Sequence, residues 1–183
     1  MIKSIFDFLF ATVIIFGLIP FWIIMIIAPT FTIFKQTRIG QFGNPFTIYK
    51  VRTMHNGKVT RIGKFLRRFK IDELPQLINI IKGDMSFVGP RPDIPGYYDK
   101  LKGTDREVLK LKPGLTSLAA IKYVNEESLL KRQKDAQHYN DTIIFPDKVQ
   151  MNLDYCNKKS LWYDLYIIGL TLKGIFVKNK LSI

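Results

Sequence analysis

Asp72 and Glu73 form an adjacent acidic pair set against a dense basic background, in the stretch RRFKIDELPQLINIIKGDMSFVGPRP from Arg67 to Pro92. Phosphoryl transfer needs a nucleophile, cations for the phosphate oxygens and usually a divalent ion. A carboxylate can serve as the nucleophile by forming an acyl phosphate, which splits one displacement into two. An Asp–Glu pair also suits Mg²⁺, which binds through one or two carboxylates plus substrate phosphates. Arg91, fixed between Pro90 and Pro92, is the best phosphate clamp, because a guanidinium pairs bidentately and the prolines limit its freedom. Spacing alone also allows an ordinary reading. Asp72 would cap a helix that Glu73 and Pro75 open, with Leu74, Leu77, Ile78 and Ile81 at helical spacing and Gly83 ending the pattern. Arg91 would then be a structural turn residue, and Asp84 a helix-end partner in preference to a second metal ligand.

These groups need elements to hold them. Thr32–Arg38 and Phe46–Met54 read as a hairpin around the turn formers GQFGNP. Alternation in the second strand places Phe46, Ile48, Lys50 and Arg52 on one face. Arg61–Lys70 is basic and helical, with Phe65, Leu66 and Phe69 on one side. It either lies on anionic lipid or turns Arg67, five residues before Asp72, toward a substrate. Residues 93–112 predict a short helix, Lys112–Thr116 a turn, Ser128–Gln137 a charged helix and Asp141–Asp147 a loop with an apolar centre. A last helix starts at Ser160, with Leu161, Leu165, Ile168, Leu172 and Ile175 as its stripe and Lys173, Lys178 and Lys180 at its end. Asp164, Gly169 and Lys173 interrupt it, so it docks on the core or, the favoured reading, lies in a membrane interface.

The 183 residues fit one functional unit with a core. Lys and Arg number 28 against 15 Asp and Glu, a net +13 that seeks anions. The cations fall with proline-rich loops and a carboxylate pair instead of an aromatic platform, which speaks against nucleic acid. One cysteine, Cys156, excludes an internal disulfide, and His55 and His138 are too isolated for a histidine metal site. No charged residue occurs from Phe8 to Phe34. A straight helix of that length spans roughly 40 Å, more than the ~30 Å hydrocarbon core needs. Pro20, just after Gly17, predicts a kink there. Lys3 precedes the run, Lys35 and Arg38 follow it, and the basic bulk predicts a cytoplasmic body.

DELPQL followed by GDMSFVGPRP resembles the core of the bacterial sugar transferases called monotopic phosphoglycosyl transferases. KQTRIG (Lys35–Gly40), FTIYKVRTM (Phe46–Met54), RIGKFLRR (Arg61–Arg68) and KPGLTS (Lys112–Ser117) follow in that family's order, so the likeness covers nearly the whole chain. The resemblance implies an α+β fold: a compact monotopic membrane enzyme with a re-entrant membrane helix at 1–34, a catalytic domain at 35–183, interfacial amphipathic helices and a small β-hairpin. It implies transfer of a phospho-sugar from a nucleotide diphospho-sugar to a polyprenol phosphate of the undecaprenyl type, starting glycan assembly and releasing nucleoside monophosphate. Asp72 would carry the covalent phospho-sugar. Glu73 would help hold Mg²⁺ with Asp72 or accept a proton, and Arg91, Arg67, Lys50 and Arg52 would bind phosphate. The expected partners are those two substrates and membrane lipids at the cytoplasmic face of the bacterial inner membrane, with a homodimer as an open assembly state. Two departures stand out. Ile19-Pro20 replaces the family's Ser-Pro break, and Val124 falls where relatives carry a nucleotide-binding arginine, leaving Lys122 as a substitute. The rival reading is a basic membrane-anchored binding or assembly subunit without activity.

Overall fold

The computed structural model describes residues 2–27 and 31–176. The apolar N-terminal run is two helices, α1 (Ile2–Gly17) and α2 (Ile19–Ile27), broken at Leu18 with Pro20 in the first turn of the second. At 16 and 9 residues they span roughly 24 and 14 Å. Among the described residues no helix is long and apolar enough to cross a membrane. α1 lies along the body of the protein. Ala11 is fully buried, Phe10 meets Phe87 with ring centroids 5.0 Å apart, and Asp7 is 4% exposed. Asp7, which a re-entrant segment would put at the membrane interface, accepts a hydrogen bond from the Phe87 N–H at 3.4 Å.

The hairpin forms as expected in kind, with bounds shifted by a residue or more: β1 (Ile33–Ile39) pairs antiparallel with β2 (Pro45–Val51), from Ile33 opposite Val51 to Ile39 opposite Pro45. A 3₁₀ turn, Gln41–Gly43, closes it. A second, minimal hairpin joins β3 (Met54–His55) to β4 (Lys58–Val59) through Asn56 and Gly57, both at positive φ. Thr60 then caps α3 (Arg61–Arg68), its Oγ1 accepting from the Gly63 N–H at 2.9 Å. Gly63 is required there: a Cβ would sit 2.2 Å from the Thr53 carbonyl oxygen.

The helix expected to begin at Asp72 is a 3₁₀ segment, Ile71–Gln76, running into α4 (Leu77–Lys82). Asp72 is not its cap. That place belongs to Lys70, held left-handed at φ 58°, which reverses the chain out of α3. Pro75 explains the tighter winding, because it has no N–H to contribute to an α-helical ladder. Gly83, at φ 83°, ends α4 as the sequence indicates.

β5 (Ser86–Val88) and β6 (Gly114–Thr116) pair in parallel, so Lys112–Thr116 is a turn only at its start. The segment between them winds through 3₁₀ turns at Tyr98–Lys100 and Gly103–Lys110. Short helices α5 (Leu118–Lys122), α6 (Glu126–Leu130) and α7 (Ala136–Tyr139) follow. The stretch read as a loop at Asp141–Asp147 is helical: a π turn, Asn140–Ile144, leads directly into α8 (Phe145–Lys158), and Ile144 is fully buried. Pro146 falls in α8's first turn, where a missing N–H costs little.

α9 (Leu161–Phe176) starts at Ser160, whose Oγ accepts from the Tyr163 N–H at 3.2 Å. Its docking face takes in only part of the expected stripe: Asp164 and Ile167 are buried and Ile168 packs on the core, whereas Leu165 and Leu172 are 39% and 51% exposed. Lys178 and Lys180 lie outside the described residues. The main core draws Ala11, Ile48, Leu77, Val88, Tyr155 and Ile167 from α1, β2, α4, β5, α8 and α9. Asp164 is at the seam of three of these elements. It accepts from the Tyr155 hydroxyl at 2.5 Å and pairs with Lys3 at the start of α1.

Candidate active site

Three backbone devices bring one cluster of side chains together, of which Lys50, Gln76 and Arg91 line a cleft while Asp72 and Glu73 are buried and do not line it. β2 carries Lys50, the 3₁₀ segment carries Asp72, Glu73 and Gln76, and the chain leaving β5 carries Arg91. The third depends on two glycines. A Cβ on Gly114 would lie 2.1 Å from the Gly89 nitrogen, and one on Gly89 would lie 2.3 Å from the Lys112 carbonyl oxygen. With no side chains between them the strands close. Gly89 N–H donates to the Thr116 carbonyl at 3.1 Å and Gly114 N–H to the Pro90 carbonyl at 2.8 Å. Arg91 therefore emerges from a backbone clamped on both sides.

Arg91 meets Glu73 with both prongs, Nη1 to Oε2 at 3.1 Å and Nη2 to Oε1, and Lys50 Nζ lies 3.4 Å from Oε1. Burial pushes the Glu73 carboxyl up, but the Arg91 guanidinium and then Lys50 outweigh it and hold the group well below the usual carboxylate range. Asp72 is shifted the other way. Burial raises its carboxyl and the Glu73 charge adds to that, against Lys50, Lys70 and Arg67. Two adjacent carboxylates thus have opposed environments, a pattern that accompanies divided chemical roles. Lys50 is lowered, chiefly by burial.

Beside this group opens a cleft of about 440 Å³. Its near wall holds Lys50, Lys70, Gln76 and Arg91, with Arg38 at the edge. Its other wall comes from α5, α6, the link between them and α8, including Ala119, Val124, Glu126 and Asn152. Lys148 bridges to Glu126 at 2.7 Å, and the Tyr123 hydroxyl donates to Asp147 at 2.7 Å, fastening α5 and α6 to α8.

The structure brings Lys50, Asp72, Glu73 and Arg91 together. Arg67 is near enough to act on the Asp72 charge, but its Nε donates to Thr53 Oγ1 at 2.8 Å. Arg52 is exposed beside the Phe34 ring, 5.9 Å from its centroid, and does not line the cleft. Val124, 61% exposed, lines the cleft, while Lys122 pairs with Asp147 at 2.8 Å outside it. Asp84 accepts from Asn79 Nδ2 at 3.3 Å, a helix-end partner. Sequence reasoning missed Arg38, Lys70 and Gln76 as cleft residues. The signal was available for Lys70 and Gln76, which sit inside the basic-acidic stretch, two residues before Asp72 and four after it.

A divalent ion can be accommodated through Asp72. Its Oδ1 is buried without a hydrogen-bond partner, a free acceptor of the kind a hard cation takes. Both oxygens of Glu73 are already engaged by Arg91, and Oε1 by Lys50 as well. Among the described residues no group of three or more His, Cys, Asp or Glu side chains comes together, so the remaining ligands would be phosphate oxygens.

The bacterial sugar transferase family model matches residues 1–178, and the chain belongs to that family. It is 35% identical to the galactosyl transferase CpsE of Streptococcus agalactiae serotype III, over 79% of this chain and 34% of that one. It is 34% identical to the UDP-glucose:undecaprenyl-phosphate glucose-1-phosphate transferase of Caulobacter vibrioides, over 84% of this chain and 60% of that one. A UDP-N-acetylgalactosamine-undecaprenyl-phosphate N-acetylgalactosaminephosphotransferase of Aeromonas hydrophila is 32% identical, over 81% of this chain and 36% of that one. The chain thus spans from about a third to three fifths of the length of these relatives.

Proposed function

We propose that this chain is a phosphoglycosyl transferase, moving a sugar-1-phosphate from a UDP-sugar to undecaprenyl phosphate through a covalent intermediate on Asp72. The observation that carries this reading is the buried Asp72 carboxylate, with one oxygen free of hydrogen bonds, beside a cleft rimmed by Lys50, Lys70 and Arg91. A carboxylate oxygen of Asp72 attacks the phosphorus that bears the sugar. The bond to the bridging oxygen breaks, and uridine monophosphate leaves with that oxygen. An oxygen of the lipid phosphate then attacks the same phosphorus, forming the sugar–diphospholipid and returning Asp72 to its carboxylate. Lys50 and Arg91 hold the charge on the phosphoryl oxygens throughout. Glu73, held far below the usual carboxylate range, is a poor base and serves to aim Arg91. Mg²⁺ bound by Asp72 and the substrate phosphates would neutralise further charge on the diphosphate. Purified protein supplied with UDP-glucose or UDP-N-acetylgalactosamine and undecaprenyl phosphate is expected to release uridine monophosphate, and Asp72→Asn to abolish that release. Ordinary turnover in Asp72→Asn refutes the covalent mechanism, and no turnover with any UDP-sugar by the intact protein favours the assembly-subunit reading.

The N-terminal segment, in this reading, enters and leaves the membrane on the cytoplasmic face, where the donor is. Supporting it, Lys3 pairs with Asp164 of the body, and the chain re-enters that body as β1 soon after α2. The outward side of both helices is apolar: Phe8, Val13, Phe16 and Ile24 are 47–67% exposed. Because Lys3 is engaged, an exposed neighbour, Ser4, is the better probe. Ser4→Cys in a Cys156→Ser background should resist an impermeant thiol reagent in intact cells and react after lysis; labelling in intact cells overturns this topology.

A further inference from the structure

Gln76 is 2% exposed and lines the cleft, yet its Nε2 has no hydrogen-bond partner. Buried amide groups kept for the fold are partnered, because leaving a buried donor unmatched forfeits its hydration without return. Two other buried amide nitrogens have partners: Asn79 Nδ2 donates to the Thr47 carbonyl at 2.7 Å, and Asn152 Nδ2 donates to the Tyr98 hydroxyl at 3.0 Å. Among the described residues the buried donors without a partner are Trp22 Nε1, Arg38 Nε and Gln76 Nε2, and Arg38 and Gln76 both line the cleft. The position of Gln76 sets it apart. It stands three residues after Glu73 in a 3₁₀ segment, where residues i and i+3 eclipse. It therefore shares the face on which Glu73 grips Arg91 and Lys50.

We infer that Gln76 contacts the substrate, its side-chain amide donating to a non-bridging oxygen of the phosphoryl group being transferred. This rests on the function proposed above and adds a donor to it. A group placed beside Lys50, Lys70 and Arg91 meets the part of the ligand those cations collect, the phosphate oxygens, which at neutral pH only accept. A neutral donor adds something that a fourth cation would not. It fixes the direction of one oxygen without drawing the phosphate toward itself as a point charge, and its Oε1 cannot be confused with a competing nucleophile. A phosphoryl group bonded to Asp72 and held by Lys50 and Arg91 supplies the acceptor oxygen that Gln76 Nε2 lacks.

The test compares Gln76→Met and Gln76→Leu with the intact protein in the uridine monophosphate release assay, using whichever UDP-sugar that protein turns over, with undecaprenyl phosphate. Loss of one hydrogen bond to a charged phosphoryl group is expected to lower kcat by about ten- to a hundredfold with KM little changed. The melting temperature should not fall, because each replacement removes a donor that the fold leaves unmatched. Formation of labelled phospho-sugar on the protein, without acceptor, should slow by the same factor. Ordinary kcat in both variants overturns the inference, as does a raised KM with unchanged kcat, which would place the contact elsewhere on the donor. Loss of folded protein in both variants also overturns it and assigns Gln76 to the fold. The two readings fail separately: with Asp72→Asn inactive and Gln76→Met normal, only the role of Gln76 is lost.

Discussion

Replacing Asp164 tests whether α1 is fastened to the body by charge or only by apolar contact. Asp164 is 1% exposed and has two partners from other elements, Lys3 of α1 and the Tyr155 hydroxyl of α8. Burial first, and then Asp164, push the Tyr155 hydroxyl far above the ordinary tyrosine range, so it remains a donor at any working pH. Removing one member of a fully buried ion pair costs about 3–5 kcal/mol. Lys3 is 34% exposed and regains water, so its share is discounted to about 1 kcal/mol. The Tyr155 hydroxyl is buried and lies 3.4 Å from the Val88 carbonyl, which can take over part of its bond. Its loss is therefore about 1–2 kcal/mol. Asp164→Leu is expected to cost about 2–3 kcal/mol in all, and Asp164→Asn, which keeps an acceptor for Tyr155, about half as much. At about 2–4 °C per kcal/mol for a chain of this size, Asp164→Leu should melt roughly 4–12 °C lower. Far-ultraviolet circular dichroism of detergent-solubilised protein at one fixed scan rate reads this. Lys3→Met in the Asp164→Leu background should add little, because its partner is already gone. A melting point for Asp164→Leu within 1 °C of the parent, or full additivity of the two changes, refutes the reasoning.

Other outcomes follow from the cleft. Arg91→Lys keeps the charge and loses the two-pronged geometry, so kcat should fall about ten- to a hundredfold while the melting point moves little; a large loss of folded protein with normal activity in the remainder assigns Arg91 to the fold instead. Under the proposed mechanism Asp72 must be ionised to attack, and its carboxyl is already raised, so activity should fall on the acid side at a pH above that of an ordinary aspartate. Lys50 opposes that rise, hence Lys50→Met should move the acid limb of kcat/KM to still higher pH, and a limb that stays put or moves down contradicts the assignment. Gly89→Ala places a methyl 2.3 Å from a backbone oxygen, and such overpacking costs about 1–3 kcal/mol or more. Activity should fall with it, because Arg91 is two residues away; unchanged melting and turnover would mean that the strands close without the glycine.

What the sequence revealed tracks the range of the interactions involved. The hairpin, the break near Pro20, the Ser160 cap and the stop at Gly83 were legible because turn formers, proline and capping hydroxyls act within a few residues. Asn56-Gly57, a hairpin signal of the same local kind, was there to be read and was passed over. The parallel pairing of β5 with β6 was hidden, since it joins segments 25 residues apart and each contributes three residues to it. α8 was there to be read: Phe145, Val149, Leu153 and Cys156 recur at helical spacing and pack on the core, and the stripe was passed over. In α9 the docking was only partly legible, because it rests on Ile167 and on a charged residue, Asp164, whose partners lie 161 and 9 residues away. In the candidate site, Asp72, Glu73 and Arg91 were visible as unusual types in a tight motif. Gln76 stood in the same motif and could have been singled out by place, although nothing local says that its amide is left without a partner.

The cleft has two walls of separate origin. The one that holds the phosphate-directed cations is built from β2, the 3₁₀ segment and the glycine-clamped strand end, while the facing one is carried by α5, α6 and α8 and riveted by Lys148–Glu126 and Tyr123–Asp147. Such a construction is modular. Residues on that wall, Val124 of the α5–α6 link foremost, can be exchanged to reshape the cleft without removing either partner of the Arg91–Glu73 pair. Under the proposed function, a library aimed at new donor preference belongs on that wall, with the opposite one left as a fixed anvil.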